Sequence, residues 1–153
     1  MQKITTFLWF NNQAEEAMNH YVSIFKNSKV LNVRRKDGKV LTVAFELEGQ
    51  KFMALNGGPL FKFTEAISLF VDCETQQEVD ELWTKLTAGG AESRCGWLKD
   101  KYGLSWQIIP RALMKLMGDP DPVKSQAVFQ AMLKMNKIVI ADLQRAYEGK
   151  SAA

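Results

Sequence analysis

Ile4-Thr5-Thr6-Phe7-Leu8-Trp9-Phe10 returns in kind 62 positions later, as Ala66-Ile67-Ser68-Leu69-Phe70-Val71-Asp72. Both runs are rich in β-branched and aromatic residues, the composition of a strand. The same displacement sets Glu16 on Glu78, Tyr21 on Trp83 and Ile24 on Leu86. A second match, displaced by 54, lays Gly49-Gln50-Lys51-Phe52-Met53-Ala54-Leu55 on Gly103-Leu104-Ser105-Trp106-Gln107-Ile108-Ile109. Two matches in the same order indicate one strand–helix–strands unit present twice, the second about eight residues shorter. A ligand site is then expected where the copies meet.

The intervening sequence fills in the unit. Lys3 to Phe10 predicts a strand, and Gln13 to Lys26 a helix whose Ala14, Ala17, Met18, Tyr21, Ile24 and Phe25 recur at helical spacing. Asn12 is the expected N-cap, with Glu15 as its capping-box partner. Lys29 to Arg35 and Val40 to Leu47 predict two strands joined by the hairpin signal Asp37-Gly38. Lys51 to Leu55 follows as a short strand, and Asn56-Gly57-Gly58-Pro59 breaks the chain between copies. In the second copy Glu65 to Val71 predicts a strand. Thr75 and Glu78 repeat the capping device, and Val79, Leu82, Trp83 and Leu86 form the buried helix face. Ala88-Gly89-Gly90 stops that helix. Glu92 to Leu98 is expected to be extended, and Leu104 to Ile109 to close the sheet. The remainder has no counterpart in the first copy. It predicts helices at Arg111 to Met117, Val123 to Met135 and Ile140 to Tyr147, with Asp121-Pro122 as a helix start.

Composition bounds the class. An apolar fraction of 46% and a charged fraction of 24% are those of an ordinary globular protein, and 153 residues can bury a core. No apolar run of roughly 18 residues occurs, so no membrane span is expected. The N-terminus passes directly into a strand pattern without a signal-like core, and Cys73 and Cys95 lack metal-type spacing. A cytoplasmic chain with reduced thiols is the expectation. The net charge of +3 is mild and its basic residues are dispersed, which argues against a nucleic-acid face.

Three motifs carry a family resemblance: Phe7-Leu8-Trp9-Phe10-Asn11-Asn12-Gln13-Ala14-Glu15-Glu16-Ala17, Phe52-Met53-Ala54-Leu55-Asn56-Gly57-Gly58-Pro59, and Cys95-Gly96-Trp97-Leu98-Lys99-Asp100-Lys101-Tyr102-Gly103-Leu104-Ser105-Trp106-Gln107. The chain resembles the vicinal oxygen chelate superfamily of glyoxalases, bleomycin-resistance proteins and extradiol dioxygenases. Within it the chain is similar to the PhnB-like branch, often labelled 3-demethylubiquinone-9 3-methyltransferase. The resemblance implies an α+β fold. Two βαβββ modules, residues 1–58 and 63–112, would form a paired domain over 1–112 with a curled mixed-sheet cleft. A helical extension over 113–149 would follow. It also implies a homodimer.

In that superfamily a metal is held by side chains of the first and last strands of both modules. The resemblance places those positions at Thr6, Met53, Ser68 and Gln107. Two hydroxyls, a thioether and an amide stand where His and Glu are usual, so no metal is expected. No cofactor is expected either, because no Gly-rich strand-to-helix loop with a following acidic ribose contact occurs. Leu8, on the face of Thr6, and Asp100, in the Lys-Asp-Lys-Tyr-Gly turn, complete the candidate ligand-binding residues. The expected activity is metal-independent binding of a small organic molecule in the cleft between modules. The alternative is an enzyme of the same superfamily, a glyoxalase-like lyase, a dioxygenase or the methyltransferase of the family label, with divergent active-site residues. No catalytic residue is assigned.

Overall fold

The structure, a computed structural model, describes residues 1–150. The chain divides into two compact units, Met1–Phe63 and a second that starts at Thr64.

The first unit runs β1 (Thr6–Phe10), α1 (Ala14–Ile24), β2 (Lys29–Lys36), β3 (Lys39–Leu47) and β4 (Gln50–Asn56). Its sheet has the order β1-β4-β3-β2, with β1 parallel to β4 and the other pairs antiparallel. Alternation in β3 buries Val43, Phe45 and Leu47 on one face. The α1 stripe Ala14, Ala17, Met18 and Tyr21 is buried over that face. The Tyr21 ring lies 6.4 Å from Phe45, which stacks on Phe52 at 5.6 Å. Burial of each of these large side chains contributes roughly 1.5–3 kcal/mol. Asp37 and Gly38 turn the β2–β3 hairpin with φ of 53° and 76°, the paired left-handed conformation that an Asp-Gly turn supplies.

The start of α1 differs from expectation. Gln13, not Asn12, is the N-cap, and its side chain makes no capping bond. The Ala14 N–H instead donates to Asn56 Oδ1 at 2.8 Å, while Asn56 Nδ2 donates to the Val40 carbonyl at 3.2 Å. One amide from the end of β4 therefore caps the helix and ties it to β3. Pattern reading looks for a cap next to the helix, so a cap 42 residues away escapes it.

The second unit repeats the plan: β5 (Leu69–Cys73), α2 (Gln76–Thr87), β6 (Ala91–Glu92), β7 (Trp97–Lys99) and β8 (Ser105–Pro110), in the order β5-β8-β7-β6. Again the first and last strands are parallel and the rest antiparallel. The start of α2 is as expected. Thr75 Oγ1 accepts from the Glu78 N–H at 3.1 Å, and Glu78 returns an oxygen to the Glu74 N–H at 2.9 Å. Val79, Leu82, Trp83 and Leu86 form the buried face.

The expected extended run Glu92 to Leu98 is broken in its middle. Cys95 and Gly96 are both left-handed, with φ of 59° and 85°. Their N–H groups donate to the Met135 and Asn136 carbonyls at 2.8 Å each. The left-handed φ of Gly96 favours glycine, and a Cβ there would also crowd the Ile108 carbonyl oxygen at 3.1 Å. This kink anchors the C-terminal helices α3 (Arg111–Met117), α4 (Pro122–Leu133) and α5 (Ile140–Tyr147). They enclose a core of Ile109, Leu113, Val128, Ile138 and Leu143. Asp121 caps α4 through the Val123 N–H at 2.9 Å. The Gln76 amide grips the connection before α5, donating to the Ile138 carbonyl at 2.9 Å and accepting from the Ile140 N–H at 2.7 Å. Among the described residues no helix is long and apolar enough to cross a membrane.

Candidate functional site

Strand register decides which side chains share a face, because paired residues point the same way and neighbours along a strand point oppositely. In the first unit Thr6 pairs with Phe52, Leu8 with Ala54 and Phe10 with Asn56. Phe52 belongs to the α1 face through Phe45. Thr6 and Leu8 therefore point toward α1, and Leu8 is 5% exposed. Met53 points the other way, beside Phe7 on β1 and Ala44 on β3. Thr6 and Leu8 do not share a surface with Met53. Leu8 is a core residue, and its burial removes it from the candidate set.

The second unit shows why the sequence assignment slipped. Leu69 pairs with Trp106, where Thr6 pairs with Phe52. Phe52 and Trp106 are the equivalents 54 apart, so the first strands correspond at a displacement of 63 (69 − 6), not 62. A one-residue slip exchanges the two faces of a strand. With the register of the sheets, Phe7 corresponds to Phe70, Met53 to Gln107 and Ala44 to Trp97. Each unit thus carries a three-strand row on the face away from its helix: Phe7–Met53–Ala44 in one, Phe70–Gln107–Trp97 in the other. Phe7 is 50% exposed and Phe70 53% exposed, so both rows end on an open aromatic ring. Trp106, on the opposite face from Gln107, is buried at 2%.

Ser68 and Gln107 do come together. Gln107 Nε2 donates to Ser68 Oγ at 2.9 Å, bridging the start of β5 to β8. Both side chains are half-buried. Charged groups flank this row. Lys99 pairs with Glu65, whose carboxyl is held below its usual range first by that hydrogen bond. Asp72 accepts from Arg111 Nε at 2.8 Å, and Arg111 also reaches Glu74 at 3.0 Å. The hydrogen bond that Arg111 donates to Asp72 leads in raising the guanidinium pKa.

Asp100 is placed differently from the sequence expectation. It is 2% exposed. Its Oδ1 accepts from the N–H groups of Tyr102 at 2.9 Å and Leu104 at 3.1 Å, and its Oδ2 from Trp106 Nε1 at 2.9 Å. The carboxylate shapes the Lys99–Gly103 turn and anchors the indole, so it has no surface to offer a ligand. Turn chemistry foretells part of this role; the indole contact depends on the tertiary fold.

Sequence reasoning also missed Phe7, Phe70 and Trp97. Their signal is the alternation of β1 and β5 once the parallel register is known. Trp9, on the same face as Phe7, is covered locally. Its indole donates to the Gly58 carbonyl at 2.9 Å and its ring meets Phe61 edge-on at 4.9 Å. A Cβ on Gly57 would lie 2.3 Å from that indole, which explains the glycine. An open depression of about 940 Å³ beside the start of α1 is lined by Glu15, Glu16, Lys36, Asp37 and Lys39 among others. Val40 and Leu41 also line it, and it touches none of the candidate residues.

A metal centre is tested by donor chemistry. The rows offer one thioether, Met53, and one amide, Gln107. Transition metals of the superfamily kind take imidazole, carboxylate or thiolate. Among the described residues no three His, Cys, Asp or Glu side chains gather as a metal-holding group. The lone histidine, His20, lies on α1 with its ring 5.9 Å from that of Tyr21. These residues do not fit a divalent transition-metal centre.

Comparison with known proteins gives the family. A family described as 3-demethylubiquinone-9 3-methyltransferase matches residues 2–109. A Bacillus cereus protein described as a 3-demethylubiquinone-9 3-methyltransferase, PhnB protein, is 42% identical. The match covers 71% of this chain and 99% of that one, with a TM-score of 0.68. A Pseudomonas aeruginosa protein at 17% identity and TM-score 0.60 shares the fold, with 72% of this chain and 98% of that one covered. So does a glyoxalase/bleomycin resistance protein of Albidiferax ferrireducens, at 11% identity and TM-score 0.51, with 72% and 99% covered. No curated protein matches the chain. The family match ends at residue 109, within β8, so the C-terminal helices lie outside it. Two βαβββ modules in one chain, matched over most of their length, place this protein in the family described as 3-demethylubiquinone-9 3-methyltransferase, with the glyoxalase/bleomycin resistance/dioxygenase fold.

Proposed function

We propose that the protein binds a small organic molecule without a metal, using the sheet faces turned away from α1 and α2. The observation that carries this reading is the pair of equivalent rows, Phe7–Met53–Ala44 and Phe70–Gln107–Trp97. Exposed aromatic ends and a single hydrogen-bonding pair, Gln107–Ser68, suit an apolar molecule with few polar groups. A row built to hold a divalent metal would instead converge imidazoles or carboxylates.

A fragment screen by NMR in chelator-containing buffer tests the reading, with ¹³C-methyl methionine as reporter. Binding should move the Met53 methyl, on the open face, and leave the buried Met18 methyl of α1 in place. A screen in which no fragment moves either the Met53 methyl or the Gln107 side-chain amide would sink the proposal. The assembly proposed is a homodimer, as the resemblance implies. Light scattering that finds a 17.3 kDa particle at micromolar concentration would contradict it.

A further inference from the structure

From the Phe70–Gln107–Trp97 row we infer that the ligand is an uncharged aromatic molecule carrying a carbonyl, hydroxyl or amide, with the Gln107–Ser68 pair as its polar anchor. This rests on the small-molecule reading above and names the ligand's chemistry. Phe70 and Trp97 stand directly opposite Gln107 on the two neighbouring strands. Directly opposed side chains on one sheet face are in contact range, so the amide emerges between two aromatic rings. With Nε2 engaged on Ser68 Oγ, Gln107 has its Oε1 and a second N–H for a ligand, and Ser68 has its own O–H. The anchor therefore both donates and accepts, and it is neutral.

The charges on either side of the row are engaged in ion pairs with one another. Lys99 is paired with Glu65, and Arg111 with Asp72 and Glu74. These five groups sum to minus one, which gives an anion no attraction. A charged ligand would lose hydration against Phe70 and Trp97, and the flanking charges that could offset it are already engaged with one another, so that loss is costly. A neutral aromatic molecule loses little hydration, stacks on the rings, and satisfies its one polar group on the anchor.

The test uses four probes built on one benzene ring, benzamide, toluene, benzoate and benzylammonium, titrated into the full-length protein. Binding is followed by ¹⁵N NMR of the Gln107 side-chain amide and of the Trp97 indole N–H. Benzamide should bind at least about tenfold more tightly than benzoate or benzylammonium, and about tenfold more tightly than toluene, one hydrogen-bonded group's discrimination. Gln107→Leu should erase the preference of benzamide over toluene and keep toluene binding. Gln107→Glu should move the preference to benzylammonium. Benzoate or benzylammonium winning on the wild-type protein, with the Gln107 amide shifting, would overturn the uncharged class while binding stands. Benzamide binding that Gln107→Leu leaves unchanged would overturn the anchor. No probe perturbing the row would overturn the small-molecule reading beneath both.

Discussion

Replacing Asp100 is the sharpest test of how the second unit is held together. Its carboxylate accepts three hydrogen bonds, from Tyr102 N, Leu104 N and Trp106 Nε1. Two of those donors belong to residues only 1% and 2% exposed, Leu104 and Trp106. Asp100→Ala strands both away from water. Each buried donor left unmatched costs about 1–3 kcal/mol, so the pair costs about 2–6 kcal/mol. That is a large part of a stability of ordinary size, and it lowers Tm by roughly 10 °C in a chain of this length. Asp100→Asn keeps Oδ1 for the two backbone donors but turns an NH₂ toward the indole N–H. It should cost about 1–3 kcal/mol, between wild type and alanine. Adding Trp106→Phe removes the opposed donor, so Asp100→Asn should cost less in that background than alone. Urea unfolding followed by circular dichroism gives all four corners of the cycle. An alanine variant within about 1 kcal/mol of wild type would refute the structural role.

Other consequences follow from single contacts. Asn56→Ala removes the distant cap of α1 and should destabilise by about 1–2 kcal/mol, whereas Asn12→Ala should be near neutral in the same urea titration. The Cys73 thiol, buried in the second unit, is pushed up to about 12, chiefly by burial and then by Glu78 and Asp72. Its folded pKa lies above the ordinary value of 9.0, so its contribution is complete below pH 9.0 and is lost as pH rises toward 12. Thermal melts of Cys73→Ala should therefore show a shallower alkaline loss than wild type over that window. Equal slopes would refute this.

The repeat, the two sheets' element order and the hairpin at Asp37-Gly38 were legible because each has a local cause: alternation, helical spacing, a turn pair. The start of α2 was legible for the same reason, since Thr75 and Glu78 lie three residues apart. The start of α1 was not, because its cap, Asn56, comes from the far end of the sheet. The site suffered most from one residue of register. The strand predicted at Glu65 to Val71 forms at Leu69–Cys73. Aligning composition alone put Thr6 on Ser68 and hid the Phe7–Phe70 equivalence. Hydrogen bonding between β1 and β4, and between β5 and β8, sets that register, and it is not written in either strand by itself. Met53 and Gln107 were placed as equivalents because the Gly49 and Gly103 turns fix the strands that follow them.

The central claim is that the open sheet faces bind an organic molecule without a metal. Elemental analysis of full-length protein purified without chelators tests it most directly, wild type beside Gln107→Leu. The account predicts far less than one equivalent of zinc, nickel, iron or manganese per chain in both. One equivalent in the wild type, lost in the Gln107 variant, would contradict it.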